Sequence, residues 1–387
     1  MNNRVRIGIF GIGLETLRER LLPLSAKVRK TQILLISLIF INASFGADEK
    51  DKAVPTALGE PFWSSKVMQN EPILFIQEEG KTVATGKLLF VPTSKPVLMH
   101  PDLVTKYEEG IDYIWKANEN TIELTPNSTI PFKTTLEMKP ATGGLGGRLF
   151  SEGHYFHDLQ VQATYEHADV WHWQPAPSPQ PLPRSLGKLE EKKTFKILSM
   201  GDSITEGYNA SGFSKVNVAP YQPCYAQLVA NTLQKRFGSP VTLLNLGVAG
   251  KKASLGFTQI DRIKTENPDL VMIAFGMNHG EPGPDFEKTI SKLLSAVKAA
   301  VPEADIILVS PMTKAPNDGK IPEKFFSYRD ALKNLVTINV SMADVTTPFT
   351  ELLKEKEFSD LSGNNYNHPN DFTHRLYAQV ICQLFAP

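Results

Sequence analysis

The period of the hydrophobic pattern changes once along this chain, near residue 196. Beyond that point, apolar runs of strand length alternate with amphipathic stretches of helix length. The runs 196–200, 241–246, 270–275, 306–310 and 339–344 read as strands, and 223–237, 253–264, 286–301, 322–336 and 374–385 as helices. Their ends carry the right punctuation: Pro223 in a first turn, Gly238 after the last, Asp285 opening one helix and Pro302 closing it. Five strands alternating with helices predict a doubly wound parallel sheet, because short right-handed crossovers leave few other arrangements. The predicted fold class for 196–387 is α/β, with a flavodoxin-like five-stranded sheet.

Upstream the pattern is short and strand-like. Segments at 73–76, 87–91, 111–115, 121–124, 132–138 and 159–165 are separated by turn formers such as Ala117-Asn-Glu-Asn120 and Pro126-Asn-Ser-Thr-Ile-Pro131. This spacing predicts an all-β sandwich or jelly-roll domain over 48–173. Gln174-Pro-Ala-Pro-Ser-Pro-Gln-Pro-Leu-Pro183 can be neither helix nor central strand, which places a proline-rich linker at 174–195. His154, His157, His167 and His172 crowd the end of the β segment beside Trp171 and Trp173. Their spacing matches no metal-ligand pattern, so exposed imidazoles on a strand are the expectation. Trp171 is a candidate substrate contact, stacking on a sugar ring.

The first 47 residues follow another logic. Seven Arg and Lys residues between Arg4 and Lys30 precede an apolar run, 33–41, broken only by Ser37. Ser44 and Gly46 are small residues suited to a cleavage after Gly46, so 1–47 reads as an export signal region, with an amphipathic N-terminal helix as the alternative. The run is shorter than the roughly 20 residues a bilayer span needs. A periplasmic or extracellular location is expected, with no stable membrane insertion once the signal is removed.

Charge and cysteine content narrow the partners. Forty-one basic residues balance 41 acidic ones, so no basic field speaks for nucleic acid. Cys224 and Cys382, the two cysteines, make no metal site by spacing. In a flavodoxin-like strand order the first and last helices share a face, which leaves both a disulfide and two buried thiols open.

The chemistry gathers at one edge of the predicted sheet. Its first strand runs into Met200-Gly-Asp-Ser-Ile-Thr-Glu-Gly207, which puts Ser203 at the C-terminal edge, where open α/β sheets hold their ligands. Gly201 permits a tight turn, and Asp202 can accept hydrogen bonds from nearby amides. Alone, the triplet is an ordinary turn. The second strand runs into Asn245-Leu-Gly-Val-Ala-Gly250 and the third into Gly276-Met-Asn278-His279-Gly280. Before the last helix comes Asn364-Asn-Tyr-Asn-His-Pro-Asn-Asp-Phe-Thr-His374.

In this order the four stretches resemble the SGNH (GDSL-like) serine hydrolase superfamily, over about 196–387. The resemblance implies Ser203 as nucleophile and His368 as the base that takes its proton. It implies an oxyanion hole made by the backbone amides of Ser203 and Gly250 and the side chain of Asn278, with no metal or organic cofactor. Two positions depart from the family. Its members carry Asp three residues before the His, where this chain has Asn365. The candidates for orienting His368 are Asp360, Asn365 and Asp371, the last also a helix cap, or else a backbone carbonyl serving a Ser-His dyad. His279 stands where an Asp is common, as a substrate contact or a loop residue. His374 is the rival base, but His368 fits the His-Pro-Asn pattern better.

The expectation is an exported serine esterase that removes acyl groups, acetyl first, from an acylated carbohydrate. A β domain ahead of an SGNH-like domain is similar to the arrangement of several carbohydrate esterases. A lipid esterase or thioesterase is the alternative enzyme, although loop 208–222 is too polar for a broad apolar groove. A carbohydrate-binding protein on a decayed hydrolase fold is the alternative without catalysis; Asn365 favours it, and the joint presence of Ser203, Gly250, Asn278 and His368 opposes it.

Overall fold

The computed structural model describes residues 59–142, 144–175 and 182–385. The expected export signal and the centre of the proline-rich stretch lie outside the described residues. Those described fall within one compact unit, Asp51–Pro387.

The first part holds strands β1 (Val67–Ile73), β2 (Phe75–Gln77), β3 (Thr85–Lys87), β4 (Val97–Met99), β5 (Tyr113–Trp115), β6 (Thr121–Leu124), β7 (Phe132–Thr134) and β8 (Val161–Glu166), with short helices α1 (Thr135–Met138) and α2 (Tyr155–Leu159). They form two sheets, β1-β8-β4 and β5-β6-β3-β2-β7, antiparallel except for the parallel pair β2/β7. The expected strand 132–138 is half helix. Thr134 and Glu137 form a reciprocal capping box, which satisfies the first-turn amides and turns the chain into α1.

The histidine segment also departs from expectation. His157 lies in α2 and bonds the Ala219 carbonyl at 2.8 Å, and His167 is buried, stacked on Phe90 with centroids 4.0 Å apart. Trp171 is buried between Phe62 and Phe90, so it presents no face to a sugar. Large aromatic rings bury more apolar area than they can offer a ligand, and here the core claims them. Among the described residues, no three His, Cys, Asp or Glu side chains gather as a metal site would require.

Helix α3 (Pro183–Glu190) occupies the second half of the expected linker. Proline is tolerated at a first helical position because that N–H has no intrahelical partner. Leu189 is buried on one face, and the Ser185 amide donates to Asp305 Oδ2 at 2.7 Å.

The remaining elements are β9 (Phe195–Gly201), α4 (Ser203–Glu206), α5 (Tyr225–Phe237), β10 (Val241–Asn245), α6 (Ser254–Thr258), α7 (Ile260–Glu266), β11 (Leu270–Ala274), α8 (Gly283–Ala300), β12 (Asp305–Val309), α9 (Lys324–Asn334), β13 (Val340–Ala343), α10 (Thr346–Leu352), α11 (Phe358–Leu361) and α12 (Asp371–Gln383). The five strands form one parallel sheet in the order β10-β9-β11-β12-β13, the doubly wound flavodoxin-like order. β9 lies between β10 and β11, and its apolar side chains are fully buried. The order reverses there, so the turn after β9 stands at the sheet's topological switch point.

Helices α5 and α12 pack together, as the strand order predicts. Cys224 caps the start of α5, while Cys382 lies near its end, where Arg236 Nη1 bonds the Cys382 carbonyl. A 13-residue helix is about 20 Å long, beyond the reach of a disulfide, and both thiols are free.

One hydrophobic cluster runs from Phe62 in the β-rich part to Phe385 at the end of the α/β part. A buried charged group crosses the same boundary. Lys356 Nζ lies 2.7 Å from Glu71 Oε1 and 3.3 Å from Asp360 Oδ2, and Tyr165 donates its hydroxyl to Glu71 Oε2. Asp360 also accepts from the Leu74 amide at 2.8 Å. Burial pushes the Asp360 carboxyl up to about 6, against the pull of Lys356.

Candidate active site

The turn after β9 is tight because it must be. A Cβ on Gly201 would stand 2.0 Å from Thr205 Oγ1 and 2.5 Å from the Ala274 carbonyl oxygen, so only glycine fits. Asp202 then caps α4, accepting from the Ile204 amide at 3.1 Å, and Ser203 takes the first helical position. Burial raises the Asp202 carboxyl to about 6, although backbone amides and His368 oppose the rise.

The loop before α12 brings His368 to this serine. Ser203 Oγ lies 2.9 Å from His368 Nε2, and both side chains are largely buried. A hydroxyl bonded to a neutral imidazole nitrogen is the arrangement a general base needs.

The other ring nitrogen has neighbours that the sequence did not announce. His368 Nδ1 lies 2.9 Å from Asn209 Oδ1, 3.0 Å from Asn364 Nδ2 and 3.3 Å from Glu152 Oε2. Asn209 has a fixed orientation, since its Nδ2 donates to the Gly153 and Gly363 carbonyls at 3.0 Å each. Its carbonyl oxygen therefore faces the ring. Asn364 Oδ1 accepts from the amides of Tyr366, Asn367 and His368, while its Nδ2 hydrogens go to Glu152 Oε1 and Asn367 Oδ1, each at 3.0 Å. No hydrogen is left on Asn364 for the ring, so Nδ1 carries its own and donates to Asn209.

The three expected orienting groups are elsewhere. Asn365 turns away and donates to the Leu149 carbonyl at 2.9 Å. Asp360 is held in the Lys356 cluster, and Asp371 accepts from the Ser211 amide at 2.8 Å in the first turn of α12. An amide at 365 leaves no carboxylate to face the ring from that position, and the two acids are engaged by cations and amides nearer to them.

His374 is fully buried and structural in its contacts. Its Nδ1 accepts from the Tyr225 amide at 3.3 Å, and its Nε2 donates to the Tyr208 carbonyl at 3.1 Å. Burial pushes it down to about 4, so it is neutral near pH 7.

The Gly250 loop reaches the helix that Ser203 opens, where the Ala249 amide donates to Glu206 Oε2 at 2.6 Å, and Asn278 bonds that loop at Lys251. Asn278 Nδ2 gives one hydrogen to the Lys251 carbonyl at 3.1 Å and keeps a second. Gly250 has φ +73, a conformation glycine adopts without strain, and its amide has no acceptor among the described residues. The Ser203 amide, first in its helix, has no intrahelical partner either. Three donors are thus free near the serine. His279 is only 2% exposed and is no substrate contact. Its Nε2 accepts from the Ala253 amide at 2.9 Å and its Nδ1 meets Glu281 Oε1 at 2.5 Å, which ties the Gly250 loop to the Asn278 loop.

The walls are aromatic and polar. The Tyr208 ring lies 5.0 Å from His368, with Phe213 beyond it at 4.8 Å, and Lys215 bonds the Tyr208 hydroxyl. Across the His368 loop, Tyr366 meets Phe150 edge to face.

The family comparison fits this geometry. Residues 199–376 match the model of the GDSL-like Lipase/Acylhydrolase family. No curated protein matches the sequence. Similar solved structures include a two-domain esterase active on acetylated mannans, at 20% identity and TM-score 0.43, with 53% of this chain and 52% of that one covered. Axe2, an acetylxylan esterase from Geobacillus stearothermophilus, is 20% identical at TM-score 0.40, with 50% of this chain and 94% of that one covered. This chain therefore spans about half of the two-domain esterase. With the family match resting on the stretch that supplies Ser203, Gly250, Asn278 and His368, residues 199–376 are a GDSL-like lipase/acylhydrolase domain.

Proposed function

We propose that the protein is a serine esterase that deacylates, and above all deacetylates, carbohydrate. The observation that carries this reading is the 2.9 Å contact between Ser203 Oγ and His368 Nε2 beside three free donors. In the reaction, Ser203 Oγ attacks the ester carbonyl carbon while its proton passes to His368 Nε2. The oxyanion that forms accepts hydrogen bonds from the amides of Ser203 and Gly250 and from Asn278; losing one such donor typically costs about 10²- to 10³-fold in rate. Collapse expels the sugar alkoxide, which takes the proton from His368. Water then attacks the acyl-serine with His368 again as base, and the free acid leaves. No metal or organic cofactor enters these steps.

Carbohydrate is favoured over long acyl chains by the walls. Tyr208 and Phe213 offer ring faces beside His368, and the 208–222 loop is rich in polar side chains, which suits a hydroxylated ligand. Export belongs to the same reading, on the basic and apolar pattern of residues 1–47.

Acetate release from acetylated xylan, acetylated pectin and p-nitrophenyl acetate tests the proposal, with Ser203→Ala as the control. The variant should lose at least about 10³-fold in kcat. Equal release by the variant and the natural protein would sink it.

A further inference from the structure

The family's carboxylate behind the histidine is absent here, yet His368 Nδ1 is not left bare. We propose that its role is divided between two side chains: the Asn209 carbonyl oxygen fixes the His368 tautomer, and Glu152, supplied by the β-rich part of the chain, provides the negative charge. This rests on the esterase reading of Ser203 and His368.

Each half has its own geometric ground. Asn209 is locked by its two Nδ2 donations, so its oxygen is the acceptor nearest to Nδ1, at 2.9 Å. An acceptor there keeps the proton on Nδ1 and leaves the Nε2 lone pair for Ser203. A neutral amide cannot do more, because the imidazolium that forms during attack needs a charge to stabilise it. Glu152 Oε2 lies 3.3 Å from Nδ1, and its other oxygen is held by Asn364 Nδ2 at 3.0 Å. Burial would raise the Glu152 carboxyl, but its bond to His368, the charge there and the Asn364 donor outweigh that and keep it below the ordinary range.

Glu152 is still 45% exposed, so its attraction is screened and should be modest. The other titratable groups around the ring are Asp202 behind Ser203, His374 and the Tyr208 hydroxyl, and none of them changes in the variants below. Asn209 and Glu152 act through His368 and do not touch the ester, so both are positioning residues. A consequence is that the β-rich part belongs to the catalytic machinery and is more than an appended binding module.

The test uses the full chain labelled with 15N-histidine. In the natural protein, NMR of the His368 ring should show Nδ1 protonated and Nε2 free. Glu152→Gln should lower kcat by about five- to tenfold, with KM unchanged. The gap should narrow as salt is raised. Asn209→Ala should populate the other tautomer and cost about 10²-fold or more in kcat. An unchanged kcat in Glu152→Gln, or Nε2 protonated in the natural protein, overturns the inference even if the enzyme is active. If the tautomer is as stated and changes in Asn209→Ala but no ester is cleaved, the esterase reading fails and the assignment of the tautomer to Asn209 stands.

Discussion

Asn365 sits where the family keeps its acid, and the structure shows why restoring an acid there would not restore a triad. The side chain donates to the Leu149 carbonyl at 2.9 Å and makes no bond to the ring of His368. Asn365→Asp should leave kcat/KM within about twofold of the natural value, since it neither touches nor faces the ring. It should lower stability by about 1 kcal/mol, because a donor to a carbonyl becomes a repelling acceptor. Kinetics and urea melts on the same preparation check both, and a large gain in kcat would refute the placement. Ser203, Gly250, Asn278 and His368 stand out in the sequence because each lies within a few residues of a strand end or a helix start, where local pattern speaks. Asn209 could have been suspected, six residues after the serine in a turn-rich loop. Glu152 could not, since 216 residues separate it from His368 and nothing local marks it.

At the scale of elements, legibility followed burial. Four of the five parallel strands are apolar runs buried on both faces, the edge strand β10 being half-buried, and the structure places each of the five within about two residues of its expected bounds. The β-rich part was harder, because many of its strands are three residues long and too brief for a period to emerge. In the 132–138 segment, strand-like residues hid the Thr-x-x-Glu cap that starts α1. Helix α12 was foreseen, but not the role of His374 in pinning it to the start of α5 and to the Tyr208 loop.

That contact has a pH signature. With the folded value pushed down to about 4 by burial, the unfolded chain takes up a proton near its ordinary 6.5 that the folded chain refuses. Above that range His374 is neutral in both states, and stability is lost as pH falls through the window. Asp202 and Asp360, both raised to about 6, act in the opposite sense over part of it. The difference between the natural protein and His374→Gln isolates the histidine. The natural protein should lose on the order of 2 kcal/mol more between about pH 6.5 and 4. Parallel urea-melt profiles for the two proteins would rule this out.

For the whole molecule, the question is whether the β-rich part folds by itself or only with the α/β part. The shared hydrophobic cluster, the Glu71–Lys356–Asp360 group and the Glu152–His368 contact all cross between them. Breaking a buried ion pair by removing one partner typically costs about 3–5 kcal/mol, because an uncompensated charge stays behind. These links predict a single cooperative transition. The sequence supplies its own probe: all four tryptophans, Trp63, Trp115, Trp171 and Trp173, lie in the β-rich part, while the long helices lie in the α/β part. Tryptophan fluorescence and the far-ultraviolet helix signal should therefore change together in a urea titration. Lys356→Met should move both midpoints down in step. Two separated transitions, or a variant that shifts the fluorescence alone, would mean that the β-rich part is an independent domain, and would leave Glu152 resting on a body that can unfold while Ser203 and His368 stay in place.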